Sequence, residues 1–137
     1  MFFFDPDDFG NLVNLLTLYL DYNLIKEIPN SFCNLINLEE IALVNNFISK
    51  LPEQFGNLIK LKRLYLDNNL INEIPTSFEN LIELEELYLN TNKLSKIPNV
   101  ICKLVNMSQL DIANNDIEDF SELEKIKILK KLWYFKY

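Results

Sequence analysis

Residues 61–83 read Leu61-Lys62-Arg63-Leu64-Tyr65-Leu66-Asp67-Asn68-Asn69-Leu70-Ile71-Asn72-Glu73-Ile74-Pro75-Thr76-Ser77-Phe78-Glu79-Asn80-Leu81-Ile82-Glu83. The opening Leu-x-x-Leu-x-Leu alternates apolar and variable positions, the pattern of a short strand with one buried face. Asn69 and Ile71 follow, then an Ile74-Pro75 pair, Phe78 and Leu81. Working outward in either direction recovers the same frame, because Asn23, Asn46, Asn69, Asn92 and Asn115 stand 23 residues apart. A fixed period of this size marks a stacked repeat architecture, in which each unit buries its apolar side against the next.

The copies agree in detail. Leu15, Leu18, Leu20, Asn23 and Ile25 are followed by Leu38, Ile41, Leu43, Asn46 and Ile48. After the central copy come Leu84, Leu87, Leu89, Asn92 and Leu94, and then Met107, Leu110, Ile112, Asn115 and Ile117. The second half recurs as Ile28-Pro29, Leu51-Pro52 and Ile97-Pro98, with Phe32, Phe55 and Ile101 at the Phe position. We divide the single domain, 1–137, into a partial repeat 1–14, repeats 15–37, 38–60, 61–83, 84–106 and 107–128, and a partial repeat 129–137. The fifth copy lacks the proline, and Leu129 arrives 22 residues after Met107. Ser121 and Glu124 have the spacing of a capping box, which predicts a helix starting there.

This frame resembles the leucine-rich-repeat family in its 23-residue form with Ile-Pro and Phe; the last copy is similar to the 22-residue subclass. The resemblance implies an α/β solenoid with a parallel inner sheet and short helical or extended convex segments. It also implies a scaffold or adaptor that binds another protein, as in Ras-pathway and cell-polarity scaffolds. Independently of any family, strands from successive turns would stack at about 4.8 Å. The recurring Asn would sit where the chain leaves the strand and satisfy backbone groups of neighbouring turns.

A frame this regular assigns the Leu, Ile, Phe, Pro and Asn positions to structure, so function must be written in the variable columns. The outward strand positions run Thr17, Glu40, Arg63, Glu86, Gln109 and Lys131, then Tyr19, Ala42, Tyr65, Tyr88, Asp111 and Trp133. A third column runs Asp21, Val44, Asp67, Asn90, Ala113 and Phe135. The expected partner-binding residues are therefore Tyr19, Asp21, Glu40, Arg63, Tyr65, Asp67, Glu86, Tyr88, Asn90, Asp111, Trp133 and Phe135. Tyr and Arg are enriched at interface hot spots. Tyr is also a good strand former that stacks on its neighbour, so Tyr65 and Tyr88 admit both roles.

Composition narrows the classes of activity. The chain has no His, which removes Ser-His-Asp and Cys-His nucleophile systems and His metal ligands. Gly10 and Gly56 are its two glycines, too few for a glycine-rich phosphate loop. Asp21 and Asp67, two turns apart, would stand roughly 10 Å from each other on an open wall. That exceeds the spacing of about 6.5–9.5 Å used even by inverting glycosidases. We expect no enzyme, no metal and no cofactor.

The net charge of −7 is uneven. Residues 125–137 carry five Lys and no acid, and the other eight basic and twenty acidic residues leave the rest at −12. Such a body repels phosphate backbones, so nucleic acid is not expected as a partner; the Lys-rich end reads as a solvated face or a contact for an acidic partner or anionic lipid. No apolar run is long enough to span a bilayer. The start of the chain, Met1-Phe2-Phe3-Phe4-Asp5, lacks a basic segment, so the expected compartment is the cytoplasm. Cys33 and Cys102 fall three turns apart, about 14 Å, beyond disulfide reach, in keeping with a reducing compartment. Phe2, Phe3 and Phe4 are expected to lid the first turn. Leu132 and Tyr134 are expected to point inward on an edge strand, with self-association through that C-terminal edge. Two further readings stand beside the binding module. One is a recognition segment of a larger kinase, cyclase or ubiquitin ligase; the other is a structural or vestigial fragment without a ligand.

Overall fold

In a computed structural model, described for residues 10–118 together with the backbone of 134–136, each turn contributes one three-residue strand. The strands are β1 (Thr17–Tyr19), β2 (Glu40–Ala42), β3 (Arg63–Tyr65), β4 (Glu86–Tyr88), β5 (Gln109–Asp111) and β6 (Tyr134–Lys136). They form one sheet in chain order, with every pairing parallel. Leu18, Ile41, Leu64, Leu87 and Leu110 stand opposite one another, so the register step from β1 to β5 is 23 residues. This is the solenoid with a parallel inner sheet that the leucine-rich-repeat resemblance implies.

Each of β1 to β4 is answered by a five-residue 3₁₀ turn: η1 (Asn30–Asn34), η2 (Glu53–Asn57), η3 (Thr76–Asn80) and η4 (Asn99–Lys103). Pro29, Pro52, Pro75 and Pro98 immediately precede these turns with φ from −68° to −56°. Proline's fixed φ suits that place, and its missing N–H costs nothing there. Phe32 stacks on Phe55 at 6.1 Å and Phe55 on Phe78 at 5.3 Å, forming an aromatic spine opposite the sheet. The turns approach so closely that a Cβ at Gly56 would lie 2.2 Å from the Ser77 carbonyl oxygen. Only glycine fits that contact.

Between sheet and spine lies a dry core of Leu, Ile and Phe, most of it fully buried from Leu35 to Ile112. The buried polar residues Asn46, Asn69 and Asn92 fit inside it because every one is spoken for. Asn69 Nδ2 donates to the Leu43 and Leu66 carbonyls at 2.9 and 3.1 Å, and its Oδ1 accepts from the Ile48 N–H at 3.0 Å. Asn46, Asn92 and Asn115 repeat this set, tying each turn to the one before it. The residue before each ladder Asn (Tyr22, Asn45, Asn68, Thr91 and Asn114) is left-handed, at φ 54° to 57°. Asn tolerates that conformation better than most residues, which explains its doubling in three of the five turns.

The last strand departs from expectation. Tyr134 stands opposite Gln109, Phe135 opposite Leu110 and Lys136 opposite Asp111, so the final step is 25 residues. The expected alignment put Leu132 against Leu110 and Phe135 on the outward face. The register instead pairs the backbone of Phe135 with that of Leu110. Leu132 through Phe135 is apolar at every position, so alternation cannot fix which parity faces in, and an odd shift exchanges the faces. The lid of Phe2, Phe3 and Phe4 over the first turn, the helix at Ser121 and the position of Trp133 lie outside the described residues.

Candidate functional site

The site is the outward side of the sheet, where pleating turns the residues that flank each inward Leu away from the core. Register brings Glu40, Arg63, Glu86 and Gln109 into one row and Ala42, Tyr65, Tyr88 and Asp111 into the next. Tyr65 and Tyr88 stack with ring centroids 5.2 Å apart and planes at 16°. Both are half-buried, while Tyr19 at the start of the row is 58% exposed. Ala42 interrupts the row between Tyr19 and Tyr65, leaving a notch floored by a small buried side chain.

The tyrosines are linked diagonally to the neighbouring row. Tyr19 Oη donates to Glu40 Oε1 at 2.6 Å, Tyr65 Oη to Glu86 Oε2 at 3.3 Å and Tyr88 Oη to Gln109 Oε1 at 2.5 Å. Each bond runs to the turn ahead, so the face is a preorganised network rather than a set of loose side chains. Beside the notch, Arg63 grips Glu40 through Nε at 2.6 Å and Nη2 at 2.5 Å. The bonds from Tyr19 and Arg63 hold the Glu40 carboxyl below its usual range, and the bond to Glu40 raises Tyr19. Burial, with the Glu86 charge, pushes the Tyr65 hydroxyl up to about 12, so it remains a donor at any physiological pH.

The third column does a different job. Asp21 Oδ1 accepts from the Val44 N–H at 2.7 Å, and Asp67 Oδ1 from the Asn90 N–H at 3.0 Å and Asn90 Nδ2 at 2.5 Å. These carboxylates cap strand exits. The open-wall expectation missed one property: burial lifts the Asp67 carboxyl from 3.8 to about 6, against the opposing pull of the Asn90 amide.

Of the expected site residues, Tyr19, Asp21, Glu40, Arg63, Tyr65, Asp67, Glu86, Tyr88 and Asn90 share this face. Asp111 does not present itself to a partner: it is 5% exposed and its Oδ1 accepts from the Ala113 N–H at 3.0 Å. The sheet continues past it into β6, and its carboxylate folds back onto its own turn. The backbone of Phe135 pairs with Leu110, and its side chain, like Trp133, lies outside the described residues. No three His, Cys, Asp or Glu side chains converge among the described residues. Cys33 is buried, which raises its thiol to about 11, and Cys102 is exposed.

A second feature was not anticipated. Val13, Ile36, Ile59, Ile82 and Val105 are 45–58% exposed and form a ridge along the flank, one per turn. Its signal was present, again at a step of 23, but one place after a Leu series whose members Leu35, Leu58, Leu81 and Leu104 belong to the core. Reading the Leu as structure drew attention away from the aliphatic beside it.

A leucine-rich-repeat region model matches residues 33–136, and a leucine-rich-repeat model matches residues 14–35. No curated protein sequence matches the chain. Among solved structures, an internalin from Listeria monocytogenes is 29% identical with a TM-score of 0.78, covering 93% of this chain and 36% of that one. A leucine-rich-repeat protein of Leptospira interrogans is 27% identical with a TM-score of 0.67, covering 96% and 39%. The LRIM1/APL1C complex contains a chain 26% identical with a TM-score of 0.75, covering 81% and 21%. The chain thus spans well under half the length of each of these neighbours.

Proposed function

The chain belongs to the leucine-rich-repeat family, and from that premise we propose that it is a non-catalytic module that binds a protein partner on its strand face. One observation carries the reading: the stacked Tyr65–Tyr88 pair, half-buried and bonded forward to Glu86 and Gln109. A ring pair already fixed in place offers apolar area and polar rims without ordering cost on binding. The notch at Ala42, walled by Tyr19, Tyr65 and the Arg63–Glu40 pair, would receive a partner side chain. The neighbour that is itself a two-protein complex agrees with this use of the fold.

The finer reading is a scaffold or signalling adaptor of the 23-residue Ile-Pro/Phe form, working in the cytoplasm. The proline before each 3₁₀ turn and the Phe spine support the form, and two unpaired cysteines agree with the compartment. A second reading, a recognition segment of a larger polypeptide, is favoured by the 21–39% of neighbour length that the chain covers. β6 ends the described sheet, and its outer edge supports end-to-end self-association.

The test compares wild type with Tyr65→Ala plus Tyr88→Ala in affinity capture from source lysate, after circular dichroism shows both folded. Each captured protein is then titrated directly. Capture by wild type with at least a tenfold loss in the variant is the expected result, consistent with two hot-spot truncations. Equal capture by both proteins sinks the strand-face reading.

A further inference from the structure

The third and fourth repeats begin with opposite charge. Lys60-Leu61-Lys62-Arg63 leads into β3, and Glu83-Leu84-Glu85-Glu86 leads into β4. Register places these two segments at equivalent positions one turn apart. The basic segment pairs backward: Lys62 Nζ meets Glu39 at 3.0 Å, Arg63 meets Glu40, and Lys60 Nζ donates to Asn37 Oδ1 at 2.7 Å. Glu83 and Glu85 are exposed and take part in none of the ion pairs among the described residues. Directly beside these charges runs the aliphatic ridge, with Ile59 next to Lys60 and Ile82 next to Glu83.

We propose that this flank is a contact between two copies of the chain, laid side by side with their turns in opposite order. A two-fold contact requires that if one position meets another, the second meets the first. An axis lying in the flank, midway between Ile59 and Ile82 and across the stack, meets that condition. It sets Ile59 on the second copy's Ile82, Ile36 on its Val105, Lys60 against its Glu83, and Lys62 toward its Glu85. Ile36, Ile59, Ile82 and Val105 then each meet an apolar side chain, and Lys60 and Lys62 each meet a glutamate. With turns in the same order, an axis along the stack would set Lys60 on Lys60 and Glu83 on Glu83. Such like-charge contacts reject that arrangement.

The sign inversion across one turn is what points to a second copy. An unrelated partner would place no two-fold constraint on this flank, whereas a self-pairing surface must carry both signs about its own axis. An axis of this kind leaves both strand faces open on the same side, so the contact is compatible with partner binding there. The ridge from Ile36 to Val105 spans three steps of about 4.8 Å, roughly 14 Å. A ridge of that length fills only part of the roughly 800 Å² per partner of a standard interface, so the dimer is weak and forms at high protein concentration.

Sedimentation equilibrium over roughly 10–500 µM at low salt, where charge pairing is least screened, reads this directly. Wild type is expected to rise toward twice the monomer mass, and Lys60→Glu or Glu83→Lys alone to weaken association at least fivefold. Mixing these two variants one to one restores association, because each supplies the charge that opposes the other. Ile82→Asn abolishes it in every background; all three positions are exposed, and circular dichroism confirms their folds. A wild type that stays monomeric throughout overturns the proposal. So does association indifferent to both charge reversals, which would assign it to the edge of β6, or a mixture that fails to recover.

Discussion

The first and third turns, residues 15–37 and 61–83, carry the same letters in the same places and live in different environments. Leu64, Leu66 and Ile71 are completely buried, whereas Leu18, Leu20 and Ile25 are only partly so. Asn69 reaches back to the Leu43 carbonyl and the Ile48 N–H, while exposed Asn23 bonds the Leu20 and Asp21 carbonyls of its own turn. The difference teaches where stability resides in such a molecule. It lies between turns rather than within them, and a motif residue such as Asn69 acquires its full role through the turn it bonds to.

Leucine truncation gives the widest separation of the two turns. Leu64→Ala removes a side chain packed on all sides in a core that cannot collapse around the gap, for an expected loss of about 4 kcal/mol. Leu18→Ala, at the equivalent place in the partly open turn, should cost about half of that. Urea unfolding midpoints measure both, and equal losses would show that the first turn is as tightly packed as the third.

The Asn pair tests the same contrast through hydrogen bonds. Asn69→Ala strips the Ile48 N–H of its partner inside the core and removes the bonds donated to the Leu43, Leu66 and Asp67 carbonyls, for about 3 kcal/mol. Asn23→Ala leaves carbonyls that water can reach and should cost less than about 1 kcal/mol. A loss at Asn23 that approaches the Asn69 value would place the turn-to-turn argument in error.

How much of this was legible beforehand follows from what repetition can and cannot encode. The Leu, Phe, Pro and Asn frame was readable because a stacked turn needs the same side chain at the same height each time. The outward rows were readable for the same reason, since strand alternation carries Tyr65, Tyr88 and Glu86 to one side. The diagonal bonds were not, because Tyr65 meets Glu86 across 21 residues and only lateral pairing of the strands brings them together. The burial of Asp111 was not, because its column passes from exposed Tyr19 through half-buried Tyr65 and Tyr88, and only the packing of the last turns closes it. The 25-residue step into β6 was not either, because an unbroken apolar run has no parity. The flank ridge was visible in the period but lay beside the Leu column, where the core account seemed already complete.

The smallest expected effect concerns Asp67, which belongs to the interior turn and would not be missed from the face it helps to shape. Burial raises its carboxyl from 3.8 to about 6, so the folded chain holds that proton more tightly than the unfolded one. Between those two values the folded state binds more protons, and stability must therefore fall as pH rises. The cost is complete above the folded value and absent below the unfolded one. A shift of this size corresponds to at most about 3 kcal/mol, and partial exposure reduces it to about 1. Asp67→Asn keeps an oxygen for the Asn90 N–H but cannot ionise. The variant should be more stable than wild type by about 1 kcal/mol at pH 7, with the two converging near pH 4. The matched change Asp21→Asn isolates what the interior position adds. If wild type and Asp67→Asn run parallel from pH 4 to 7, the buried-carboxylate account of this strand exit is wrong, and its hydrogen bonds alone set its energetics.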